Sequence, residues 1–129
     1  MITEGVVAFC NLSETEKYMG QDTNRYTVVL TIDDGESEAL KSAGVNVKSY
    51  DNGKDILAQR KFVTKFPDFP VINTNGEPVS RDIPYGSKVK ILWVEGKPHP
   101  VHGVTPYIKK IKVLEYSDNH MTETETEDF

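Results

Sequence analysis

Cations and flat rings lie close together in three stretches of this chain. The densest is Arg60-Lys61-Phe62-Val63-Thr64-Lys65-Phe66, with Phe69 just beyond it. Cations neutralise phosphates and rings stack on unpaired bases, so the stretch has the chemistry of a surface for single-stranded nucleic acid. On an extended strand Arg60, Phe62, Thr64 and Phe66 share one face, and Lys61, Val63 and Lys65 share the other. Phe62 and Phe66 are therefore either stacking rings or core residues. In the second case Lys61 and Lys65 are the cations that meet ligand.

The second stretch is Lys88-Val89-Lys90-Ile91-Leu92-Trp93-Val94. Lys88 and Lys90 fall on one face, and Val89, Ile91 and Trp93 on the other. That alternation favours a core position for Trp93 over a stacking platform. The third is Tyr107 to Lys112, where strict alternation puts Lys110 and Lys112 on the face of Ile108 and Lys109 opposite. Tyr85 and Tyr107 stand near strand starts, where rings at a barrel mouth can meet bases. The candidate DNA-binding residues are Arg25, Arg60, Lys61, Phe62, Lys65, Phe66, Tyr85, Lys88, Lys90, Trp93 and Tyr107. Each lysine also has the simpler reading of a solvated strand face.

Catalysis finds little support. Cys10 has no base partner in sequence, and no Gly-x-Ser-x-Gly or Walker loop occurs. His99-Pro100-Val101-His102 has a metal-like spacing, but the prolines at 98 and 100 argue for an extended loop. No cysteine or carboxylate cluster stands nearby in sequence to complete a zinc site. No catalytic residue, metal or cofactor is expected.

The elements that must position these residues read as short strands. Val6-Val7-Ala8-Phe9 marks a strand over Thr3–Cys10, and residues 11–24 read as a polar loop. Tyr26–Ile32 is the clearest strand, closed by Asp33-Asp34-Gly35. Its core face is Tyr26, Val28, Leu30 and Ile32; Arg25, Thr27, Val29 and Thr31 are left for solvent or ligand. A short helix over Glu36–Ala43 has Ser37 as its cap and Gly44 as its stop. Further strands are expected over Ile56–Phe66, Lys88–Val94 and Tyr107–Tyr116, with an Asn-Gly turn at 73–76. Five main strands and one small helix predict an all-β (mainly β) domain, a small barrel or sandwich.

Length and charge agree with one domain over residues 1–116 and a tail over 117–129. No apolar run is long enough for a membrane span. The N-terminus does not resemble a signal peptide, and a lone cysteine makes a reducing cytoplasm the expected compartment. The net charge of −5 hides three blocks. Residues 1–52 are acidic, 53–116 carry eleven bases against six acids, and 117–129 carry five acids and no base. A basic centre between acidic flanks is more informative than the total. The tail Ser-Asp-Asn-His-Met-Thr-Glu-Thr-Glu-Thr-Glu-Asp-Phe has too little apolar surface to offset its chain entropy, which predicts disorder. Phe129, with its carboxylate and the acids Glu123, Glu125, Glu127 and Asp128, suits an apolar pocket with a basic rim on a partner. Tethered to a basic domain at an effective concentration on the order of millimolar, the same tail can compete for a nucleic-acid cleft.

These residues resemble the single-stranded-DNA-binding proteins of T-seven-type podophages. The likeness rests on Tyr26–Ile32, on Pro70–Val79 with Asp82–Lys90, and on Ile108–Tyr116 with the ending Glu127-Asp128-Phe129. The passage around Gly86-Ser87-Lys88 and the Asp-Phe end are its most specific parts. The resemblance implies an OB-fold, a five-stranded Greek-key barrel, binding single strands without strong sequence preference in phage replication, recombination and repair. It implies an arginine near the early strand, where Arg25 stands. It also implies a tail that contacts the phage DNA polymerase and primase-helicase, and a homodimer. The chain departs from the family in its shorter length, its reduced helical insertion and its shorter, less acidic tail. Two other readings use the same residues: a protein-interaction module whose tail mimics DNA, and a metal enzyme built on His99 and His102.

Overall fold

The computed structural model describes residues 1–51, 56–101 and 103–116. Nine strands and one helix occur among them: β1 (Ile2–Asn11), β2 (Lys17–Tyr18), β3 (Gln21–Asp22), β4 (Tyr26–Ile32), α1 (Asp34–Ser42), β5 (Lys48–Asp51), β6 (Ile56–Thr64), β7 (Val71–Ile72), β8 (Lys88–Glu95) and β9 (Pro106–Glu115). The expected tail, residues 117–129, lies outside the described residues, as does His102.

β4 begins and ends where its run of β-branched residues does, because Val, Thr and Ile pack well on a pleated surface. The main sheet runs β5-β6-β4-β1-β8-β9-β7. A parallel contact between Val63 of β6 and Tyr107 of β9 closes it into a barrel of β1, β4, β6, β9 and β8. With α1 and β5 inserted between β4 and β6, this is a five-stranded OB-fold barrel. β1 serves two neighbours: Ile2–Val6 pairs with β8 and Val6–Asn11 with β4. A register shift between Val7 and Phe9 bends it around that corner. Gly5 stands there because a Cβ would lie 2.8 Å from the Thr31 carbonyl oxygen.

Period-two alternation drives the apolar face of each strand inward. Val7, Val28, Leu30, Val89, Ile91, Ile111 and Val113 are buried in one core. Phe62 and Trp93 join them at 0% and 2% exposure, their rings 6.2 Å apart. The Trp93 indole N–H donates to Thr3 Oγ1 at 2.8 Å, so its polar atom is satisfied inside. The reading of Phe62 and Trp93 as base-stacking platforms is thereby corrected: neither ring reaches the surface.

Three local expectations change. The cap of α1 is Asp33, whose side chain accepts from Glu36 N at 2.8 Å, while Ser37 is buried one turn further on. Asp precedes Ser in the race for the free N–H groups, and both are good caps. β6 ends at Thr64, two residues early, because Thr64 Oγ1 accepts from Phe66 N and Pro67 follows. Thr27, assigned to the solvent face of β4, is fully buried opposite Val63. The segment before β4 lies against that face: Glu16 N donates to the Arg25 carbonyl at 2.7 Å, and Glu16 reaches Lys61.

Placing Phe62 in the core and Phe66 outside it makes their substitutions unequal. Phe62→Ala is expected to cost about 3–5 kcal/mol of unfolding free energy in a urea titration. Phe66→Ala is expected to change it by less than about 0.5 kcal/mol.

Candidate nucleic-acid interface

Once the apolar faces turn inward, the lysines of β8 and β9 turn outward together. Lys88 and Lys90 alternate with buried Val89 and Ile91. A register shift at Leu92/Trp93 pairs Trp93 with Ile108 but Leu92 with Lys110, leaving Lys109 as an extra residue in β9. This bulge overturns the strict alternation expected for β9. Lys109 and Lys110 are both exposed, and Lys110 and Lys112 lie opposite the buried Ile108 and Ile111 rather than beside them.

The outer face of β8–β9 is therefore a lysine band. Lys90 is paired directly with Lys112, and Leu92 with Lys110. Like charges opposite one another across strands destabilise a sheet, by the magnitudes that opposite charges gain. Among the described residues Lys110 and Lys112 form no ion pair, and Lys90 stands between Lys112 on one side and Glu4 of β1, directly opposite it, on the other. The three lysines rim a depression of about 200 Å³ floored by Ile2 and Leu92. Lys88, at the end of the row, stands 3.8 Å from Glu4, with both side chains about half exposed, an arrangement worth little in stability.

The band continues into a groove of about 580 Å³ where β6 meets β9. Thr64, Lys65, Phe66, Phe69, Val94, Tyr107 and Lys109 line it, with Asp68 as its one carboxylate. Phe66 is 70% exposed, a large apolar ring offered to solvent at the groove wall. Arg25 and Lys65 each stand one residue beyond the last pair of the β4–β6 ladder, Tyr26 with Thr64, so both cations sit at this end of the barrel. Rings and cations thus meet in one place. Tyr85, 67% exposed, stands at the other end of β8, in the turn whose Gly86 N donates to the Val7 carbonyl. From Val94 to Lys88 the band spans roughly 20 Å at about 3.3 Å per residue.

The other sequence candidates fall elsewhere. Arg60 and Lys61 lie on the β5 side of β6, in a separate groove. Burial pushes the Arg60 guanidinium below its ordinary value, but an arginine remains a cation. Glu123, Glu125, Glu127, Asp128 and Phe129 lie outside the described residues. Lys109, Lys110 and Lys112 were absent from the candidate set; the run Lys-Lys-x-Lys was visible, but its common face depends on the bulge. Cys10 is set apart from this surface. Burial pushes its thiol up, opposed by backbone hydrogen bonds from Ile83 and Leu12, and its Sγ donates to the Arg81 carbonyl. Imidazole Nδ1 of His99 accepts from Val101 N at 3.1 Å, which commits that nitrogen within its own turn.

No family model matches the chain, and no curated protein matches it in sequence. Solved structures do match. The crystal structure of gp2.5, a single-stranded DNA-binding protein encoded by bacteriophage T7, aligns over 91% of this chain and 92% of that one, with a TM-score of 0.56 and 16% identity. The C-terminally truncated single-stranded DNA-binding protein from bacteriophage Enc34 aligns over 89% and 84%, with a TM-score of 0.64 and 9% identity. The Enc34 protein in complex with single-stranded DNA gives 0.63 over 89% and 85%, at 8% identity. These structural neighbours are phage single-stranded-DNA-binding proteins. At such identities the likeness establishes the OB-fold barrel, and the surface chemistry must be argued from this chain's own residues.

The paired lysines set stability against binding. Lys112→Glu is expected to raise the unfolding free energy by about 0.2–1 kcal/mol in urea, since it turns a repulsive cross-strand pair into an attractive one. The same variant is expected to weaken binding to oligo-dT.

Proposed function

We propose that this protein binds single-stranded DNA without marked sequence preference, as a coating protein rather than an enzyme. The observation that carries the proposal is the lysine band of β8–β9 running into the Phe66–Tyr107 groove. Glu4 on β1 offsets the repulsion between Lys90 and Lys112 from one side only, and a phosphate between the two lysines removes the rest. Phosphates lie along Lys65, Lys109, Lys110, Lys90, Lys112 and Lys88, with Arg25 at the groove end. Bases stack on Phe66 and Tyr107, and Tyr85 offers a ring at the Lys88 end. Stacking accepts every base, and none of these cations reads a base edge in a fixed geometry, so little sequence preference results.

The finer reading follows the resemblance. The protein works in phage DNA replication, recombination and repair in the host cytoplasm. Its tail, with Glu123, Glu125, Glu127, Asp128 and Phe129, competes with DNA for the lysine band and recruits the phage polymerase and primase-helicase. The tail's five acids and the band's bare lysines support the competition by charge alone. Whether two copies join as a dimer is decided by sedimentation of the full chain.

Fluorescence polarisation with single-stranded, double-stranded and RNA oligomers tests the reading, with and without residues 118–129. The expected outcome is tightest binding to single strands, weakening by roughly 0.7 log units per log unit of salt for each phosphate neutralised. Truncation is expected to raise affinity at every salt concentration. Absence of oligo-dT binding by the truncated chain would favour the interaction-module reading instead. Phe66→Ala is expected to weaken oligo-dT binding by about 1–3 kcal/mol, the loss of one stacked base.

A further inference from the structure

We propose that Asp68 makes the Phe66–Tyr107 groove a seat for unpaired guanine, which the carboxylate reads by its Watson–Crick edge. The proposal rests on the reading of this groove as a place for single-stranded DNA and adds which base it favours. The lining joins rings and apolar side chains with two lysines, Lys65 and Lys109, and one carboxylate, Asp68. That carboxylate is out of place in a trough for phosphates, since like charges repel. Neither lysine neutralises it: among the described residues Asp68 forms no ion pair and no hydrogen bond. It is exposed, with its oxygens open to a donor. A base, unlike a phosphate, has donors to offer.

The chain around Asp68 is built to hold it still. Asp68 follows Pro67 in a turn, and Pro70 comes two residues later. Each proline fixes its own φ at about −65°. On one side Phe66 N donates to Thr64 Oγ1 at 3.2 Å. On the other, Arg81 Nη2 donates to the Phe69 carbonyl at 2.7 Å, and the same guanidinium lies 4.1 Å over the Phe69 ring. Ile111 N donates to the Pro70 carbonyl at 2.9 Å. One anchored segment thus presents an exposed ring, Phe66, and a carboxylate two residues on. Tyr107 is seated as well: a Cβ at Gly96 would overlap its ring, so glycine there lets the ring lie just past the end of β8. A base stacked on Phe66 brings its edge to the carboxylate that lines the same groove. An ionised carboxylate only accepts. Guanine alone among the bases offers it two adjacent donors, N1–H and the N2 amine, which match its two oxygens. Cytosine and adenine set an acceptor beside their amine, and thymine sets its one N–H between two carbonyls. In a duplex cytosine takes the donors of guanine, so the seat also favours single strands.

The test uses the full chain and dT oligomers carrying one central guanine, one central inosine, or thymine throughout. The single guanine is expected to tighten binding roughly three- to tenfold, the net worth of one such hydrogen-bonded contact. The gain is expected to be the same at every salt concentration, because no further phosphate is neutralised. Inosine, which keeps N1–H and lacks the amine, is expected to fall between guanine and thymine. Asp68→Asn is expected to erase the guanine gain and to tighten binding to oligo-dT, by removing an anion from the path of the phosphates. Equal affinity of the unaltered chain for the guanine and thymine oligomers overturns the proposal, as does a guanine gain that survives in Asp68→Asn. A second readout, the ring-proton shifts of Phe66 and Tyr107 titrated with the mononucleotides of guanine and thymine, separates the seat from the coating reading. Should no oligomer bind while the guanine nucleotide moves those signals further, and only with Asp68 intact, the seat stands and the coating reading falls. Equal shifts with the two nucleotides overturn the seat.

Discussion

The parallel pairing of Val63 with Tyr107 closes the barrel, and the placement of every candidate side chain follows from that closure. In a closed barrel each strand has an inside and an outside, with no edge on which to compromise. Phe62, Trp93 and the valines and isoleucines around them go inside because burial of each is worth about 1.5–3 kcal/mol. Lys88, Lys90, Lys110 and Lys112 are then forced outward onto adjacent strands. The lysine band is the outer shadow of the apolar core. Its groove end forms where the closing contact brings Tyr107 beside the β6 terminus that carries Lys65 and Phe66.

Closure explains position but not charge. A barrel of this kind folds as well with glutamate or threonine opposite Lys90. Like-charge pairing at Lys90 and Lys112 is a local rule broken with compensation on one side only, from Glu4 opposite Lys90 on β1. Such breaks concentrate where a surface has a ligand to meet. At the other side of β6 the pattern is reversed. Lys61 is neutralised by Glu16, and the segment before β4 is hydrogen-bonded so as to keep it neutralised.

Much of this was legible in the sequence, and the failures have physical causes. β4 could be read to the residue because its composition and its turn residues agree. The inward face of Trp93 was visible as well, since it alternates with Val89 and Ile91. Phe62 was ambiguous because its neighbours two residues away are Arg60 and Thr64, so no apolar face declares itself. The orientation of Lys110 and Lys112 was misread because a bulge shifts the side-chain period by one, and a bulge depends on the partner strand. Glu16 was invisible for a different reason. Its partner Lys61 is 45 residues away, and nothing local marks an acid in a polar loop as that lysine's partner.

The net charge of −5 looks unfavourable for a polyanion binder, but distance decides the matter. Exposed charges are screened beyond about 8–10 Å in physiological salt. The eight residues of β8 alone extend roughly 26 Å, at about 3.3 Å each. The acids that do reach the band are Glu4, in register with Lys90, and Glu36, whose carboxylate accepts from Glu4 N at 2.7 Å. A strand approaching the band meets the local lysines rather than the average of the chain. The acids that matter are those that can come within a few ångströms of a cation. Glu4 does so at Lys88, and Glu16 does so at Lys61 by being hydrogen-bonded into place.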